Sequence, residues 1–462
     1  MTFAITFLGA TRGVTGSMYK ISVNDHTVLL ECGMFQGPQS SEDRNRNAFQ
    51  FEVDSIDAVI LSHAHIDHSG RIPLLVKRGY SGPIYTQNAT ISLANIMLPD
   101  SGYLHERDAA WQNKIRAGSD KPLVTPLYTR ADAEGCLGQF IGKRYDEIFD
   151  VVPGLKVKFH DAGHILGAAI VELIYTDGAT TRTVVFSGDI GTQSGPVMRK
   201  PAVVEHADVV LLESTYGDRM HASFADTLAE LEWIFKIARE SGGNILIPSF
   251  AVGRTQDLLF LLAQYRKEWR LADWQIFLDS PMAIEATRVY AKYKHLHGAD
   301  FFKKDGAEPL IPNLKLTETT AESMEINEIS SGAIIIAGSG MCTGGRILHH
   351  LKNNVSRPEC HLAIVGFQAY GTLGRQLVDG AESIRIMGKN YAVRCFVHTI
   401  GGLSAHADQA DLLRWYAGFS NRPPVYLIHG ETKAQNVLAQ RLREQFSIKP
   451  VIAEYEQHVQ IH

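Results

Sequence analysis

Residues 61–70 read LSHAHIDHSG, a stretch with three histidines and one aspartate within six positions. Alternation along an extended segment puts His63 and His65 on the same side. The turn that follows brings Asp67 and His68 back toward them. Neutral imidazoles and a carboxylate suit zinc or a similar divalent ion. Four ligands this close together, in two pairs, predict two ions rather than one.

Further candidate ligands follow other predicted strands. His164 lies in a turn between two apolar segments, while Asp189 and His429 each come directly after a strand. Strand ends are rigid positions from which side chains can meet in one site. Each residue alone is more often structural, but the set is chemically complete. It divides into His63, His65 and His164 for one ion, Asp67, His68 and His429 for a second, and Asp189 as a bridge.

Two ions about 3.5–4 Å apart form a clamp for hydrolysis. Such a pair makes hydroxide available near neutral pH and neutralises charge that develops on a phosphoryl or carbonyl oxygen. The pattern therefore predicts a metal-dependent hydrolase with two Zn²⁺ ions, and Mn²⁺ is an alternative metal.

The composition is that of an ordinary folded protein. The chain has 462 residues, of which 45% are hydrophobic and 21% charged, and its formal net charge is -5. Two or three domains are expected at this length. The net charge argues against a strongly basic nucleic-acid coat but leaves room for a local basic groove. No apolar run reaches membrane-spanning length, and the N-terminus is typical of a strand rather than a signal peptide.

The five cysteines are scattered and form no C-x-x-C pair; they lie at positions 32, 136, 342, 360 and 395. Their odd number and spacing fit a reducing compartment and no disulfide framework. We therefore predict a cytoplasmic protein without contact to a membrane.

The order of predicted elements changes twice along the chain. The first third is rich in short strands, which a polar helical insertion at 91–117 interrupts. From about residue 220, strands alternate with helices such as 254–269, and this pattern predicts a parallel, doubly wound unit that includes a strand at 361–367. Strands return after about residue 390, beginning with 392–399. The order predicts an α/β protein in which one domain interrupts another.

The motifs resemble those of a known family. His63–His68 is similar to motif 2 of the metallo-β-lactamase superfamily, and His164 and Asp189 match its motifs 3 and 4. The sequences LESTYG at 212–217, LSAHAD at 403–408 and LIHGE at 427–431 resemble motifs A, B and C of the β-CASP branch. Further segments similar to this branch lie at 248–256, 278–282, 339–346 and 366–375.

The resemblance implies a fold and a function. The branch includes the nuclease subunit of the pre-mRNA 3′-end cleavage factor and its prokaryotic relatives. The implied fold is an αββα metallo-β-lactamase sandwich interrupted by an α/β β-CASP cap domain. We predict residues 1–213 and 391–462 as the two parts of the sandwich and 214–390 as the cap. A histidine in motif C, here His429, is similar to RNA-processing members, so the resemblance implies a ribonuclease acting on single-stranded RNA. It also implies a homodimer.

The chain departs from the family pattern in two respects. Motif 1 is usually Asp-Cys-Gly, whereas here Glu31 precedes Cys32 and Gly33. That acid normally supports the metal-binding histidines, and the longer side chain is expected to do so after a small shift. The chain also lacks the KH-type N-terminal extension of archaeal relatives and the C-terminal extension of ribonuclease J. Its contacts with substrate are therefore expected to come from the cap or from partners.

Catalytic roles follow from the resemblance. His406 of motif B is expected to hydrogen-bond the scissile phosphate or to protonate the leaving oxygen, with Glu213 of motif A orienting it. Asp67 and Asp189 are counted as catalytic as well as metal-binding. Without the family, simple packing would explain Glu213 and His406 better.

A Gly-rich loop at 338–345 lies between a predicted strand and a predicted helix, where backbone amides can hold phosphate. Tight packing explains such a loop equally well. The candidate phosphate contacts are Ser339, Gly340, Thr343 and Gly344 in the loop, together with Arg254, Arg346 and Arg375.

Two other functions remain open from the sequence. One is a small-molecule metallohydrolase on the same fold, such as a lactamase, thioesterase or phosphodiesterase. The other is a non-catalytic RNA-processing scaffold with an inactive site. The cap and motifs A to C argue against the first, and the complete ligand set argues against the second.

Overall fold

The structure is a computed structural model that describes residues 2–37, 39–117, 121–303, 306, 308–366 and 368–462. The chain divides into two compact units. The core unit comprises Met1–Gln193, Lys200–Met220 and His406–His462, and the inserted unit comprises Ser194–Arg199 and His221–Ala405. The domain boundaries at 213/214 and 390/391 stay a prediction.

Two sheets form the centre of the core unit. Within the described residues each sheet has seven strands. The first runs, in spatial order, through His458–Gln460, Phe3–Phe7, Tyr19–Val23, His26–Leu30, Ala58–Ile60, Ile84–Gln87 and Phe140–Lys143. The second runs through Val451–Ile452, Val425–Ile428, Val209–Glu213, Thr180–Phe186, Ala169–Asp177, Leu155–Asp161 and Ile148–Val152.

The hydrophobic core lies between these sheets. Alternate residues of each strand enter it, for example Ile5 from the first sheet and Val157 and Phe159 from the second. Phe3 stacks on Tyr175 across the interface with 4.9 Å between ring centroids. Full burial of one such side chain stabilises a fold by about 1.5–3 kcal/mol. The two-residue period of the strands therefore accounts for the face-to-face packing.

Helices accompany the two sheets of the core unit. They span Gln39–Glu42, Ile66–Ser69, Ile72–Lys77, Asn88–Arg116, Arg130–Cys136, Gln409–Ala417 and Thr432–Phe446. The helical insertion predicted at 91–117 is confirmed as Asn88–Arg116. Sheets packed on each other and flanked by helices confirm the predicted αββα sandwich. The C-terminal segment His406–His462 supplies the last two helices and the last three strands of this unit.

A parallel sheet forms the centre of the inserted unit. Among the residues that the structure describes, its strands lie in the order Leu314–Leu316, Gln275–Asp279, Ala333–Ala337, Ile245–Pro248, His361–Ile364 and Phe396–Thr399. Every pairing is parallel, which confirms the sequence prediction. A separate antiparallel hairpin joins Ser383–Ile386 to Lys389–Ala392. The helices span Phe224–Ser241, Arg254–Gln264, Pro281–Lys292, Thr320–Glu325, Ile347–Asn354 and Leu373–Val378.

Several predicted boundaries in this unit were wrong. The strand predicted at 392–399 begins at Phe396, because Ala392 already pairs within the hairpin. The strand predicted at 361–367 ends at Ile364, and Phe367 lies outside the described residues. The helix predicted at 254–269 ends at Gln264 and gives way to turns. Within the part of the chain that the structure describes, no helix combines the length with the apolar composition that a membrane span requires.

Candidate metal centre

The first predicted ligand set converges at the ends of three strands in the core unit. The Nδ1 atom of His65 lies 3.2 Å from Nε2 of His63 and 3.2 Å from Nε2 of His164. Oδ2 of Asp189 lies 3.3 Å from Nε2 of His63 and 3.5 Å from Nε2 of His164. Three ring nitrogens and one carboxylate oxygen therefore surround one point.

The second predicted set is less compact, with 3.9 Å between Nε2 of His68 and Oδ2 of Asp67. Nε2 of His68 lies 3.0 Å from Nε2 of His429, and Oδ2 of Asp67 lies 3.4 Å from the same atom of His429. Asp67 and His68 are held in the short helix Ile66–Ser69, while His429 follows the strand Val425–Ile428. The structure thus brings together residues that are more than 350 positions apart in the sequence.

Asp189 faces both sets at once. Its Oδ2 points to the first set, whereas its Oδ1 lies 3.3 Å from Nε2 of His68 in the second. The side chain is buried, and Oδ1 makes no hydrogen bond within the described part of the chain. A buried carboxylate oxygen without a hydrogen bond is costly unless a cation meets it. This arrangement fits a bridging ligand.

Glu31 fixes the orientation of two of the histidines. Its buried carboxylate accepts hydrogen bonds from Nδ1 of His68 at 2.5 Å and from the backbone N–H and the hydroxyl of Ser62 at 2.6 and 2.9 Å. Because the Ser62 hydroxyl donates to Glu31, it accepts from Nδ1 of His63, 2.9 Å away. Nε2 of each ring is then the atom left to bind a metal. Burial alone would lower the pKa of His68, but Asp189 and Asp67 outweigh it and raise that pKa well above its ordinary value, so a metal must displace a proton from this ring. Position 33 requires glycine, because its backbone approaches Asp67 so closely that a Cβ would lie 1.6 Å from the Asp67 carbonyl oxygen.

Thr215 plays the same part for His429. Its hydroxyl donates to the backbone carbonyl of His429 and lies 3.1 Å from Nδ1 of that ring. The hydroxyl therefore accepts from Nδ1–H and leaves Nε2 as the unprotonated atom. Neither Ser62 nor Thr215 was predicted as a functional residue, although both lie inside the quoted motifs.

Burial keeps the first set of imidazoles neutral. It lowers the pKa of His65 to about 3, and the neighbouring His63 acts in the same direction. Burial also lowers the pKa of His63 and, more strongly, that of His164. Burial alone would raise the pKa of the Asp189 carboxyl, but the nearby His429 and His68 outweigh it and hold that pKa well below its ordinary value. Neutral imidazoles and an ionised carboxylate are the forms that bind a divalent metal.

These residues fit zinc on geometric grounds. Zn–N bonds of 2.0–2.1 Å in a tetrahedral site separate the ligand atoms by about 3.3–3.4 Å. The separations of 3.2–3.5 Å within the first set agree with that spacing. Nitrogen and carboxylate donors are also the combination that zinc prefers.

A histidine–glutamate pair lies beside the ligand sets. Nδ1 of His406 is 3.3 Å from Oε1 of Glu213 and 4.0 Å from Oδ2 of Asp189. Glu213 is fully buried and is fixed by the backbone N–H groups of Ile190 and Thr215. Burial alone would lower the pKa of His406, but Glu213 and Asp189 outweigh it and raise that pKa to about 9. His406 can therefore carry a proton at neutral pH.

The predicted phosphate loop, which lies in the inserted unit, is satisfied internally to a large extent. The hydroxyl of Ser339 accepts hydrogen bonds from the backbone N–H groups of Thr343 and Gly344 at 2.9 and 3.2 Å. The ring of Phe250 covers Gly340, where a Cβ would lie 2.7 Å from it. The loop residues are thus together, but two of their amides already bind Ser339. Their contact with phosphate stays a prediction.

The three predicted arginines of the inserted unit each bind an acid. Arg346 donates to Oδ1 of Asp279 at 2.7 Å and also to two backbone carbonyls. Arg254 is buried and lies 3.3 Å from Asp257. Arg375 binds Asp379 at the surface at 2.8 Å. A role for these side chains at phosphate stays a prediction.

Four other histidines and the cysteines have structural surroundings. His160 lies between Glu172 and Asp146, at 2.7 and 3.2 Å. His350 binds Asp279 at 2.7 Å, and His398 binds His361 at 3.0 Å. All five cysteines are buried free thiols.

Three family descriptions match consecutive parts of the chain. Residues 11–210 match the metallo-beta-lactamase superfamily, residues 255–377 match the Beta-Casp domain, and residues 390–453 match the Zn-dependent metallo-hydrolase RNA specificity domain. A curated relative, Ribonuclease TTHA0252 of Thermus thermophilus, is 38% identical over 428 residues, which are 92% of each chain. The chain belongs to the β-CASP branch of the metallo-β-lactamase superfamily. It is a metal-dependent hydrolase of that branch.

Other relatives of this β-CASP protein agree with the assignment. Transcription termination factor FttA of Methanosarcina mazei is 30% identical, and the match covers 96% of this chain and 69% of the relative. The FttA of Thermococcus kodakarensis is 31% identical, with coverages of 96% and 69%. A crystal structure of a protein of unknown function from Enterococcus faecalis has the same fold, with a TM-score of 0.56, 12% identity and full coverage of both chains.

Proposed function

We propose that this β-CASP protein is a zinc-dependent ribonuclease that hydrolyses phosphodiester bonds of single-stranded RNA with two zinc ions. The observation that carries the proposal is Asp189, whose two oxygens face two separate ligand sets. The match to an RNA specificity domain and a relative named a ribonuclease support RNA as the substrate. The complete ligand set argues against a non-catalytic scaffold.

The ligands divide between the two proposed ions. His63, His65 and His164 would hold one ion, Asp67, His68 and His429 would hold the other, and Asp189 would bridge them. When bound, the two zinc ions would supply hydroxide near neutral pH and stabilise negative charge on the phosphoryl oxygens. Glu31, Ser62 and Thr215 would keep the imidazoles in the ligand tautomer.

The exposure of the His406 and Glu213 side chains distinguishes their proposed roles. The side chain of His406 is 22% exposed, whereas that of Glu213 is fully buried. His406 can therefore touch a substrate, and Glu213 can act only through His406. Hydrolysis breaks the bond between phosphorus and the leaving ribose oxygen, and His406 would donate the proton that this oxygen takes up. Glu213 would hold the ring in position and favour its protonated form.

Cleavage of a 5′-labelled single-stranded RNA by the zinc-loaded protein tests the proposal. The comparisons are an Asp189→Ala variant, a matching DNA oligonucleotide, and an Asp146→Ala variant as a control that removes an exposed carboxylate. We expect RNA fragments with the wild type and with Asp146→Ala, and none with Asp189→Ala. The fragment ladder distinguishes internal cleavage from degradation that starts at an end. A protein with two bound zinc ions that leaves RNA intact would refute the proposal.

Elemental analysis of the purified protein tests the number of ions, for which we expect two per chain. The predicted homodimer stays a prediction, which the molar mass in solution by light scattering tests.

A further inference from the structure

A groove of about 570 Å³ opens on the inserted unit. None of its described lining residues belongs to the motif segments quoted from the sequence. Four cationic residues line it, and Asp273 is the one acid among its described lining residues. The cations are Arg266, Lys267, Arg270 and Lys303. Three consecutive residues, 310–312, supply an apolar wall. Because the formal net charge of the whole chain is -5, this concentration of positive charge is local.

Three of the four cations lie on a turn that a buried tryptophan anchors. Arg266, Lys267 and Arg270 lie just after the helix Arg254–Gln264. Trp269, in the same turn, is buried and stacks on Tyr265, with 5.1 Å between ring centroids. Trp269 also packs against the ring of Phe235 at 5.1 Å. The buried tryptophan anchors the backbone, so the cationic side chains next to it are presented from a fixed position. A groove that is already in place binds with a smaller loss of conformational entropy.

The carboxylates near the groove neutralise it only in part. Arg270 pairs with Asp273 at 2.8 Å, and Lys303 pairs with Glu308 at 2.6 Å, all four side chains being at least 41% exposed. Exposed pairs of this kind contribute little to stability, so a phosphate can replace the carboxylate. Arg266 and Lys267 make no ion pair with any described residue, and Arg266 uses one N–H for the carbonyl of Ala263.

We propose that this groove is a second RNA-binding site, which holds the phosphate backbone of the substrate outside the metal centre. The proposal rests on the proposed ribonuclease function. Guanidinium groups match the geometry of phosphate oxygens, and the apolar wall formed by Leu310, Ile311 and Pro312 can pack against ribose or base. An acidic polypeptide would meet the same charge. RNA is favoured because its backbone repeats phosphate charge along a single strand, and because RNA is the proposed substrate.

A charge-reversal variant tests this site. Arg266→Glu combined with Lys267→Glu is compared with Arg385→Glu combined with Lys389→Glu, which makes the same change of charge on exposed residues of the hairpin in the same unit. The affinity of the full-length proteins for a labelled 30-nucleotide single-stranded RNA is measured by fluorescence anisotropy. Chelator prevents cleavage, and several salt concentrations are used. A parallel titration uses labelled polyglutamate, and Arg266→Ala combined with Lys267→Ala provides a milder change.

We expect the groove variant to bind RNA roughly tenfold more weakly than the control variant. Its slope of log affinity against log salt should be about 1.4 less steep, because each lost phosphate contact on a single strand contributes about 0.7. The alanine variant should lose part of that affinity. Equal affinity and equal salt slope in both charge-reversal variants would overturn the proposal. Loss of polyglutamate binding with RNA binding intact would overturn it in favour of an acidic protein partner. A wild type that neither binds nor cleaves RNA would instead refute the proposed function.

Discussion

Nδ1 of His68 lies 2.5 Å from Oε2 of Glu31. Glu31 is buried, and its backbone φ of +64° lies in the left-handed region, which is uncommon for a residue other than glycine. The carboxylate also reaches Ser62, whose hydroxyl contacts His63. One acid therefore orients one histidine from each of the two ligand sets.

This relationship predicts that Glu31→Ala weakens zinc binding about 10–100-fold, because neither ring is then held in its ligand tautomer. Glu31→Asp keeps the charge with a shorter reach and should lose less than tenfold. Competition with a chromophoric zinc chelator measures both affinities. Glu172→Ala breaks a similar carboxylate–histidine contact with His160 outside the ligand sets and should leave zinc affinity unchanged. An equal loss of zinc in that control would show a general effect on folding.

The two hydroxyl contacts predict a division between the ions. Thr215→Val removes the acceptor at His429 and should weaken the second ion, whereas Ser62→Ala removes the acceptor at His63 and should weaken the first. After dialysis against a weak chelator we expect each variant to retain nearer one zinc ion than two. Elemental analysis gives the count, and cobalt substitution gives a spectrum for the ion that remains. The same residual cobalt spectrum in both variants would contradict the division.

Sequence patterns predicted much of this fold because its main signals are local. Alternating apolar residues in strands such as Phe3–Phe7 and the long helix Asn88–Arg116 depend on residues near one another in sequence. Boundaries set by tertiary contacts were less predictable. The helix that ends at Gln264 shows this, because burial of Trp269 against Phe235 lies outside any local pattern.

The site could be predicted only as a list of ligands. Histidine and aspartate at strand ends are chemically distinctive, whereas a hydroxyl such as Thr215 gains its meaning from a contact with His429, 214 positions away. The Gly-rich loop illustrates the opposite limit. Its pattern indicates free amides, but the hydroxyl of Ser339 in the same loop already accepts from two of them. Nothing in glycine spacing reveals such an internal acceptor.

Exposure of His406 beside the buried Glu213 predicts a catalytic effect without loss of metal. His406→Ala should lower kcat for RNA cleavage about 10²–10⁴-fold, since the proton donor to the leaving oxygen is removed. Zinc content should stay at the wild-type value because His406 belongs to neither proposed ligand set. Single-turnover cleavage and elemental analysis on the same samples measure the two quantities. Loss of zinc in parallel with activity would place His406 among the ligands instead.

The contacts of Asp279 predict that its replacement strongly destabilises the inserted unit. Its buried carboxylate accepts from Thr317, Ser323, Arg346 and His350 at 2.6–2.7 Å. Asp279→Ala leaves these donors without their acceptor and should lower the free energy of unfolding by about 3–5 kcal/mol.

Urea unfolding followed by fluorescence measures this change. Asp379→Ala is the matched control, because it breaks an exposed pair with Arg375 and should cost about 0–1 kcal/mol. Similar midpoints for the two variants would mean that the buried network contributes no more than a surface ion pair.

The hydrogen bonds and the lowered pKa of His361 predict how the stability of the inserted unit depends on pH. The Ser241 hydroxyl donates to backbone carbonyls and therefore accepts from Nε2 of His361, 3.0 Å away. Nδ1 of His361 is left to accept from Nε2 of His398, also at 3.0 Å. Burial, with a further contribution from His398, lowers the pKa of His361 to about 4, against roughly 6.5 in an unfolded chain. Between these values the unfolded chain binds more protons than the folded one, so stability falls as pH falls.

From pH 7.5 to pH 5, His361 should therefore lower the free energy of unfolding by about 2 kcal/mol, and His361→Gln should remove this part of the pH dependence. Urea unfolding at both pH values measures the difference, with His462→Gln as a control that changes an exposed histidine at the end of the chain. The control should keep the wild-type dependence. If His361→Gln also keeps it, the imidazole accepts a proton in the folded protein as readily as in the unfolded chain. Nδ1 would then have to be free of the hydrogen bond from His398.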